Sequence, residues 1–418
     1  MNVYEAAIKR LNIIFDNFEY VYVSFSGGKD SGVLLELCAK VAKERGRRFG
    51  IFHMDYEAQY TKTTDYVLRT LERFKDESDI YHVCVPFKVT TCTSMFQSFW
   101  CPYDPEKRDL WVKDMPNNAM TDKDFPFYQK RMWDYDFQDA FGEWLAEQHE
   151  SVCSLLGIRT GESLNRWRAV HSDKNYKTWS NYEWTNTANK CVTAYPIHDW
   201  TTEDVWTANA KNGWDYNKLY DLFYYADVPL HKQRVASPFI SEGIEALHLY
   251  QVIEPDTWGK LVGRVNGVNF AGLYGGTTAM GWKKITKPPH FTWEEYMYFL
   301  LDTLPEDTKQ GYLAKLATSV KFWRERGGCL DDDTITKLRD AGVKIEVGDT
   351  TNYKTIKKPV RMEYQEDYDG KNFKDIPTYK RMCICIIKND HLCKYMGFSL
   401  TKDEMERRKA IQEKYKNL

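Results

Sequence analysis

A chain of 418 residues is longer than one ordinary hydrophobic core organises, so two domains are expected. Its 58 basic and 60 acidic side chains leave a formal charge of −2, which excludes a global field for holding nucleic acid. The hydrophobic fraction of 43% excludes long disorder, and no stretch has the length of a membrane span. The opening MNVYEAAIKRLNIIF lacks the apolar run of an export signal, and the ten cysteines follow no disulfide framework. Reduced thiols in a soluble, cytoplasmic protein are therefore expected.

Residues 3–16 have the apolar spacing of an amphipathic helix, and Tyr20–Phe25 is a β-rich run that stops at glycines. GVLLELCAKVAKERG then reads as a helix closing on basic residues and Gly46. RFGIFHMD, ending at Asp55, Tyr81–Phe87 and Ser151–Arg159 supply three more predicted strands. Alternating strands and helices predict an α/β fold with a doubly wound, mostly parallel sheet. Residues 92–150, rich in Trp, Tyr and Pro, read as an excursion from that sheet. From about 243 the alternation ends, and runs such as WEEYMYFLLDTL and GYLAKLATSVKFWRERG predict a second, mainly helical domain over 243–418.

SFSGGKDSGVLL places strand, glycine turn and helix start in succession, the arrangement that makes a phosphate site. Gly27 and Gly28 free the backbone so that successive N–H groups face one point. Lys29 adds a positive charge, and the hydroxyls of Ser26 and Ser31 complete an anion cradle. Asp30, unusual beside phosphate, suits Mg²⁺ bridging phosphate oxygens. The four-residue gap of a Walker A loop is missing.

Asp55, at the end of the second strand, is either a ribose acceptor or a solvated loop acid, with Glu57, Gln59 and Tyr60 as neighbours. GIRTGESLNRWR offers Gly157 and Arg159 at a strand end, then Glu162, Ser163 and Arg166 on the next turn. Guanidinium forks bind oxyanions bidentately, and Glu162 can orient one of them. In YPIHDWTTEDVW a threonine caps a helix with Asp204 in its first turn, and His198 and Asp199 are either structural or nucleotide-facing. In the tail, Cys383, Cys385, His391 and Cys393 read as a Zn²⁺ site or as an amphipathic helix with buried thiols.

SGGKDS resembles the pyrophosphate loop (PP-loop) of the ATP-pyrophosphatase and phosphoadenylyl-sulfate (PAPS) reductase superfamily. GIRTGESLNR and PIHDWTTEDVW…NKLYD resemble further elements of that superfamily, over about residues 20–240. The resemblance implies a nucleotide-binding domain over 1–242, with Ser26–Ser31, Asp55, Gly157, Arg159, Glu162, Ser163 and Arg166 at the nucleotide. Lys29, Asp30, Arg159 and Arg166 would carry the catalysis. The intact loop favours Mg²⁺ with ATP, cleaved between the α- and β-phosphates with AMP transfer to an acceptor. PAPS is the alternative nucleotide, although the reductases' E-C-G-L-H motif is missing. The remainder resembles the domain of unknown function found in immunoglobulin-binding regulator A proteins of bacteria and phages. That resemblance implies a ParB/sulfiredoxin-like partner, and with it a nucleotide-sensing regulatory role as a further alternative.

Overall fold

The computed structural model describes residues 2–171, 178–187, 190–275, 277, 285–349, 357–370 and 375–398, apart from the side chains of Leu164, Asn165, Arg168, His231 and Glu242. Two compact units are present, Met1–Thr90 with Phe99–Arg264, and Thr91–Ser98 with Val265–Leu418.

The first unit opens with helix α1 (Val3–Asn17), started by a capping box between Asn2 and Glu5. Strand β1 (Tyr20–Ser24) leads into helix α2 (Lys29–Glu44), then β2 (Phe49–Met54), α3 (Thr61–Phe74) and β3 (Ser78–Val83). The two-residue strands β4 (Val89–Thr90) and β5 (Phe99–Trp100) form a hairpin. Helix α4 (Asp134–Ala146) precedes β6 (Val152–Leu156) and α5 (Leu164–His171), and then come β7 (Thr185–Asn186), β8 (Val192–Ala194), α6 (Thr202–Asn212) and α7 (Leu219–Tyr225).

Six strands form one sheet in the order β3-β2-β1-β6-β8-β7, parallel except for the β7–β8 pair. The expected doubly wound sheet is therefore present. Strands at its centre are buried on both faces, which explains continuous apolar runs such as YVYV. Val21, Val23, Ile51 and Leu155 join Leu34, Leu37 and Val41 of α2 in the main core. The third strand ends four residues earlier than the sequence pattern predicts. Beyond Val83 the Cys84 N–H turns to the Met120 carbonyl, and Pro86 has no N–H to extend the ladder.

Short helices α8 (Ser241–Ile244), α9 (Leu249–Ile253) and α10 (Pro255–Arg264) complete this unit, so the break expected at 242/243 lies inside it. A buried ion pair ties α10 to the sheet end. The Arg264 guanidinium reaches both carboxylate oxygens of Glu57, at 2.8 and 3.1 Å, and the Cys101 carbonyl at 2.6 Å. Glu57 also accepts from the Tyr103 and Val112 N–H groups and is fully buried at a φ of +60°.

The second unit contains α11 (Val268–Tyr274), α12 (Trp293–Asp302), α13 (Glu306–Glu325), α14 (Asp332–Asp340) and α15 (Tyr379–Ile387). To these helices it adds a three-stranded antiparallel sheet of β9 (Gly328–Leu330), β10 (Ile345–Val347) and β11 (Lys358–Met362), in the order β10-β11-β9.

Removing one member of a buried ion pair strands the other's charge, a loss of about 3–5 kcal/mol. Arg264→Met should destabilise the full chain by that amount in urea unfolding, and a loss below about 1 kcal/mol would show that Glu57 is satisfied without it.

Candidate functional site

In an open α/β sheet, crevices form where neighbouring strands send their connections to opposite faces, outside the carboxyl ends. Here that point lies between β1 and β6. Their registers align Ser24 with Leu156, so the loop after β1 and the Gly157–Arg159 segment after β6 emerge side by side.

The loop Ser26–Ser31 turns at Gly27, whose φ is +77°. Side chains Thr63 and Val67 stand where a Cβ would project, at 3.1 and 2.9 Å, so glycine is required twice over. Gly28 caps α2 without any side-chain cap bond, leaving the helix start to the loop. Ser26 and Ser31 face each other with hydroxyl oxygens 3.0 Å apart, and the Lys29 N–H donates to the Tyr220 hydroxyl at 3.1 Å. Asn217 donates to the Gly27 carbonyl and to Thr63 Oγ1, both at 2.9 Å, which pins the turn from 190 positions further along the chain.

Gly157 packs directly on the first turn of α2. A Cβ there would stand 2.9 Å from the Ser31 nitrogen and 3.0 Å from the Asp30 carbonyl carbon. This contact lets Arg159 reach Asp30. One Asp30 oxygen lies 2.6 Å from Arg159 Nε, the other 3.1 Å from Lys29 Nζ. Arg159 continues to Glu162 at 3.2 Å, and Glu162 is ion-paired with Arg166. The result is a chain of alternating charge, Lys29–Asp30–Arg159–Glu162–Arg166. Lys29 and Arg159 are each only 5% exposed, which forces pairing. Burial lowers the Lys29 pKa, opposed by Asp30, with Arg159 adding to the lowering.

The predicted residues Ser26–Ser31, Gly157, Arg159, Glu162 and Arg166 are thus brought together. Ser163 is exposed, and its hydroxyl accepts from the Arg166 N–H. Asp55 departs from expectation. It is 1% exposed, with Oδ1 bonded to the Glu57 N–H and Oδ2 paired with Lys113 and His82. Burial raises its pKa, but Lys113 and His82 outweigh that and hold it well below the carboxylate range. A carboxylate closed off in this way does not present the ribose acceptor that its position predicts. Asp199 makes two bonds to Arg10 of α1, at 2.8 and 2.7 Å, and is structural. Asp30 is a hard oxygen donor beside the loop and already faces two cations, so its chemistry fits Mg²⁺.

Of the tail residues only Cys385 and Cys393 meet, thiol to thiol, and among the described residues the four form no group of three ligand atoms close enough to hold a metal ion. Cys383, Cys385 and Cys393 are fully buried in an apolar core with Met297, Leu301 and Met382. The Cys383 sulfur donates to the Trp293 carbonyl, and His391 Nε2 bonds the Ser94 carbonyl at 2.9 Å. Burial pushes the Cys383 thiol up to about 12 and holds the Cys385 thiol well above its ordinary value too. The Zn²⁺ expectation is therefore corrected: spacing alone could not separate ligands from the buried face of α15. Conversely, Tyr220 and Asn217 were visible only as the NKLYD element, with nothing to tie them to the loop.

Residues 20–93 and 139–226 match the family model described as the phosphoadenosine phosphosulfate reductase domain. Residues 227–407 match a domain of unknown function, DUF3440. The uncharacterized protein YbdN of Escherichia coli (strain K12) is 34% identical over 410 residues, covering 97% of this chain and 92% of that protein. The chain belongs to the YbdN family. In this chain the reductase-domain match is followed by DUF3440, and the reductase match is interrupted between 93 and 139, within the aromatic-rich excursion. Among solved structures, PAPS reductase from Candida auris aligns with a TM-score of 0.30 at 13% identity, over 56% of this chain and 88% of its own. FMN adenylyltransferase from Candida glabrata in complex with ATP gives 0.30 at 13%, over 52% and 57%. The NH3-dependent NAD synthetase of Campylobacter jejuni gives 0.26 at 12%, over 65% and 97%. Among the described residues no helix is long and apolar enough to cross a membrane.

Gly157→Ala drives a methyl group into backbone that cannot yield. It should cost about 1–3 kcal/mol of stability and disrupt the loop with it, as thermal melting and nucleotide titration would reveal. The carbonyl of His198 anchors the turn after Arg159 through the Thr160 N–H and hydroxyl, while burial, then Arg10, depress the His198 imidazole to about 4. The unfolded chain therefore takes up a proton between an ordinary pKa near 6.5 and pH 4 that the folded chain refuses. Melting temperature should fall as pH drops through that window, and the fall should be shallower in His198→Gln.

Proposed function

We propose that this chain binds Mg²⁺·ATP at Ser26–Ser31, cleaves it between the α- and β-phosphates and transfers AMP to an acceptor. One observation carries the reading: the charge chain Lys29–Asp30–Arg159–Glu162–Arg166 is assembled against a glycine turn at the sheet's switch point.

Each cation is neutralised by a neighbouring carboxylate, and the Tyr220 hydroxyl accepts the Lys29 N–H. A polyphosphate supplies oxygens to all of these groups at once. Lys29, whose ammonium form burial disfavours, gains most from a phosphate beside it. Asp30, released from Lys29 and Arg159, would hold Mg²⁺, whose charge offsets that of the phosphates. Arg159 and Arg166 then face the charge that develops on phosphate during transfer. Positioning and electrostatics suffice, and no covalent intermediate with the chain is needed.

The matched family model supports a second reading, sulfonucleotide reduction, in which PAPS takes the same loop. The resemblance of the C-terminal part supports a regulatory reading with a ParB/sulfiredoxin-like partner.

The test incubates the full chain with Mg²⁺ and either ATP or PAPS, and assays pyrophosphate, AMP, sulfite and adenosine 3′,5′-bisphosphate. Pyrophosphate from ATP is expected, reduced about 100-fold or more in Lys29→Ala. Thiol-dependent sulfite from PAPS would replace this reading with the reductase, and tight binding without products would replace it with the sensor.

A further inference from the structure

The first unit contains a second polar cluster, behind the loop. Parallel pairing sets His53 of β2 against His82 of β3, with ring centroids 5.2 Å apart. Asp55 lies two residues beyond His53 and continues the ladder through its N–H to the Val83 carbonyl at 2.9 Å. A period of two returns it to the face that His53 occupies. One ligand atom from each of the three side chains lies within 4.8 Å of the other two, and each residue is 1% exposed.

Hydrogen bonding fixes what these groups can donate. His53 Nδ1 is 2.7 Å from the Phe25 carbonyl oxygen, which only accepts, so the hydrogen resides on Nδ1. Its Nε2 then carries a bare lone pair, and that atom is buried with no hydrogen-bond partner. Nδ1 of His82 is likewise buried and unpartnered, while its Nε2 stands 3.4 Å from Asp55 Oδ2. Buried imidazole nitrogens left unmatched are costly, and such atoms are rare unless they serve a ligand. A histidine whose other nitrogen donates to a backbone carbonyl is the usual orientation of a metal ligand. The Glu57 N–H holds Asp55 Oδ1 at 2.8 Å, which sets the carboxylate's rotamer.

We propose that His53, Asp55 and His82 bind one late first-row divalent metal ion of the Zn²⁺ and Co²⁺ class. Two imidazoles and a carboxylate suit these borderline ions, while Mg²⁺ and Ca²⁺ demand oxygen donors. With metal–ligand bonds of ~2 Å, donors around a tetrahedral ion stand roughly 3.3 Å apart, a spacing that His82 Nε2 and Asp55 Oδ2 already have at 3.4 Å.

Lys113 is the competitor. Its ammonium lies 2.9 Å from Asp55 Oδ2 and 2.9 Å from Thr64 Oγ1. It occupies the position of a cation beside Asp55, and a metal must displace it. With 19% of its side chain exposed, Lys113 has a route to solvent that the three ligands lack.

The site is independent of nucleotide turnover, so its test needs none. The full chain, stripped with chelator, is titrated with Co²⁺ in excess Mg²⁺ and followed by visible absorption. One equivalent giving ligand-field bands is expected, unaffected by Mg²⁺. Lys113→Met should tighten binding at least tenfold. His82→Gln and His53→Gln, checked for folding by circular dichroism, should each lose the bands. If one histidine variant fails to fold, the other and Lys113→Met still decide. No stoichiometric Co²⁺ in the parent chain would overturn the proposal, as would bands that survive in a folded histidine variant, since those place the ion elsewhere.

Discussion

Asp30 must be compensated where it stands, because a carboxylate with 13% of its side chain exposed cannot rely on water. It is compensated twice, by Lys29 and Arg159, and much of the site follows from that arrangement. Arg159 leaves β6 while Asp30 starts α2, so their contact requires the two backbones to meet. Gly157 makes the approach possible, since any side chain there would collide with the Ser31 nitrogen. Glu162 then balances the second face of Arg159 and brings Arg166 with it. Buried ion pairs of this kind add little net stability relative to apolar packing, so stability is a weak reason for building one. A ligand of opposite charge is a better one.

What was legible in the sequence was local. The glycine loop and the GIRTGES element are contiguous, and each signals its chemistry by residue type alone. The parallel sheet was legible because buried strands leave unbroken apolar runs. The contacts that complete the site were not. Tyr220 meets Lys29 across 191 positions and Asn217 meets Gly27 across 190, and neither distance leaves a mark on composition or period. Glu57 and Arg264, 207 positions apart, extend the first unit past the point where its strand–helix alternation stops. Burial was the other hidden quantity. The tail cysteines occupy the inner face of α15 and its following turn, whereas the spacing C-x-C-x₅-H-x-C is equally compatible with a ligand set. Asp55 is at the end of its strand as predicted, but Lys113 and His82 close it off from solvent, and only the fold reveals that.

The same device recurs at both polar clusters of the first unit. The Tyr220 hydroxyl accepts an N–H that a phosphate oxygen could accept, Asp30 neutralises cations that a polyphosphate could neutralise, and Lys113 gives Asp55 a positive partner where a metal ion could serve. Each stand-in removes the penalty of an unpaired buried group, so the chain can fold before any ligand arrives. The consequence for binding is thermodynamic. A ligand does not gain the full energy of its contacts, only their excess over those it displaces, which keeps affinity moderate and makes it depend on ligand charge. Discrimination is sharpened by the same exchange. A ligand that displaces Asp30 or Lys113 without matching its charge leaves a buried ion uncompensated, and that penalty exceeds the worth of most single hydrogen bonds.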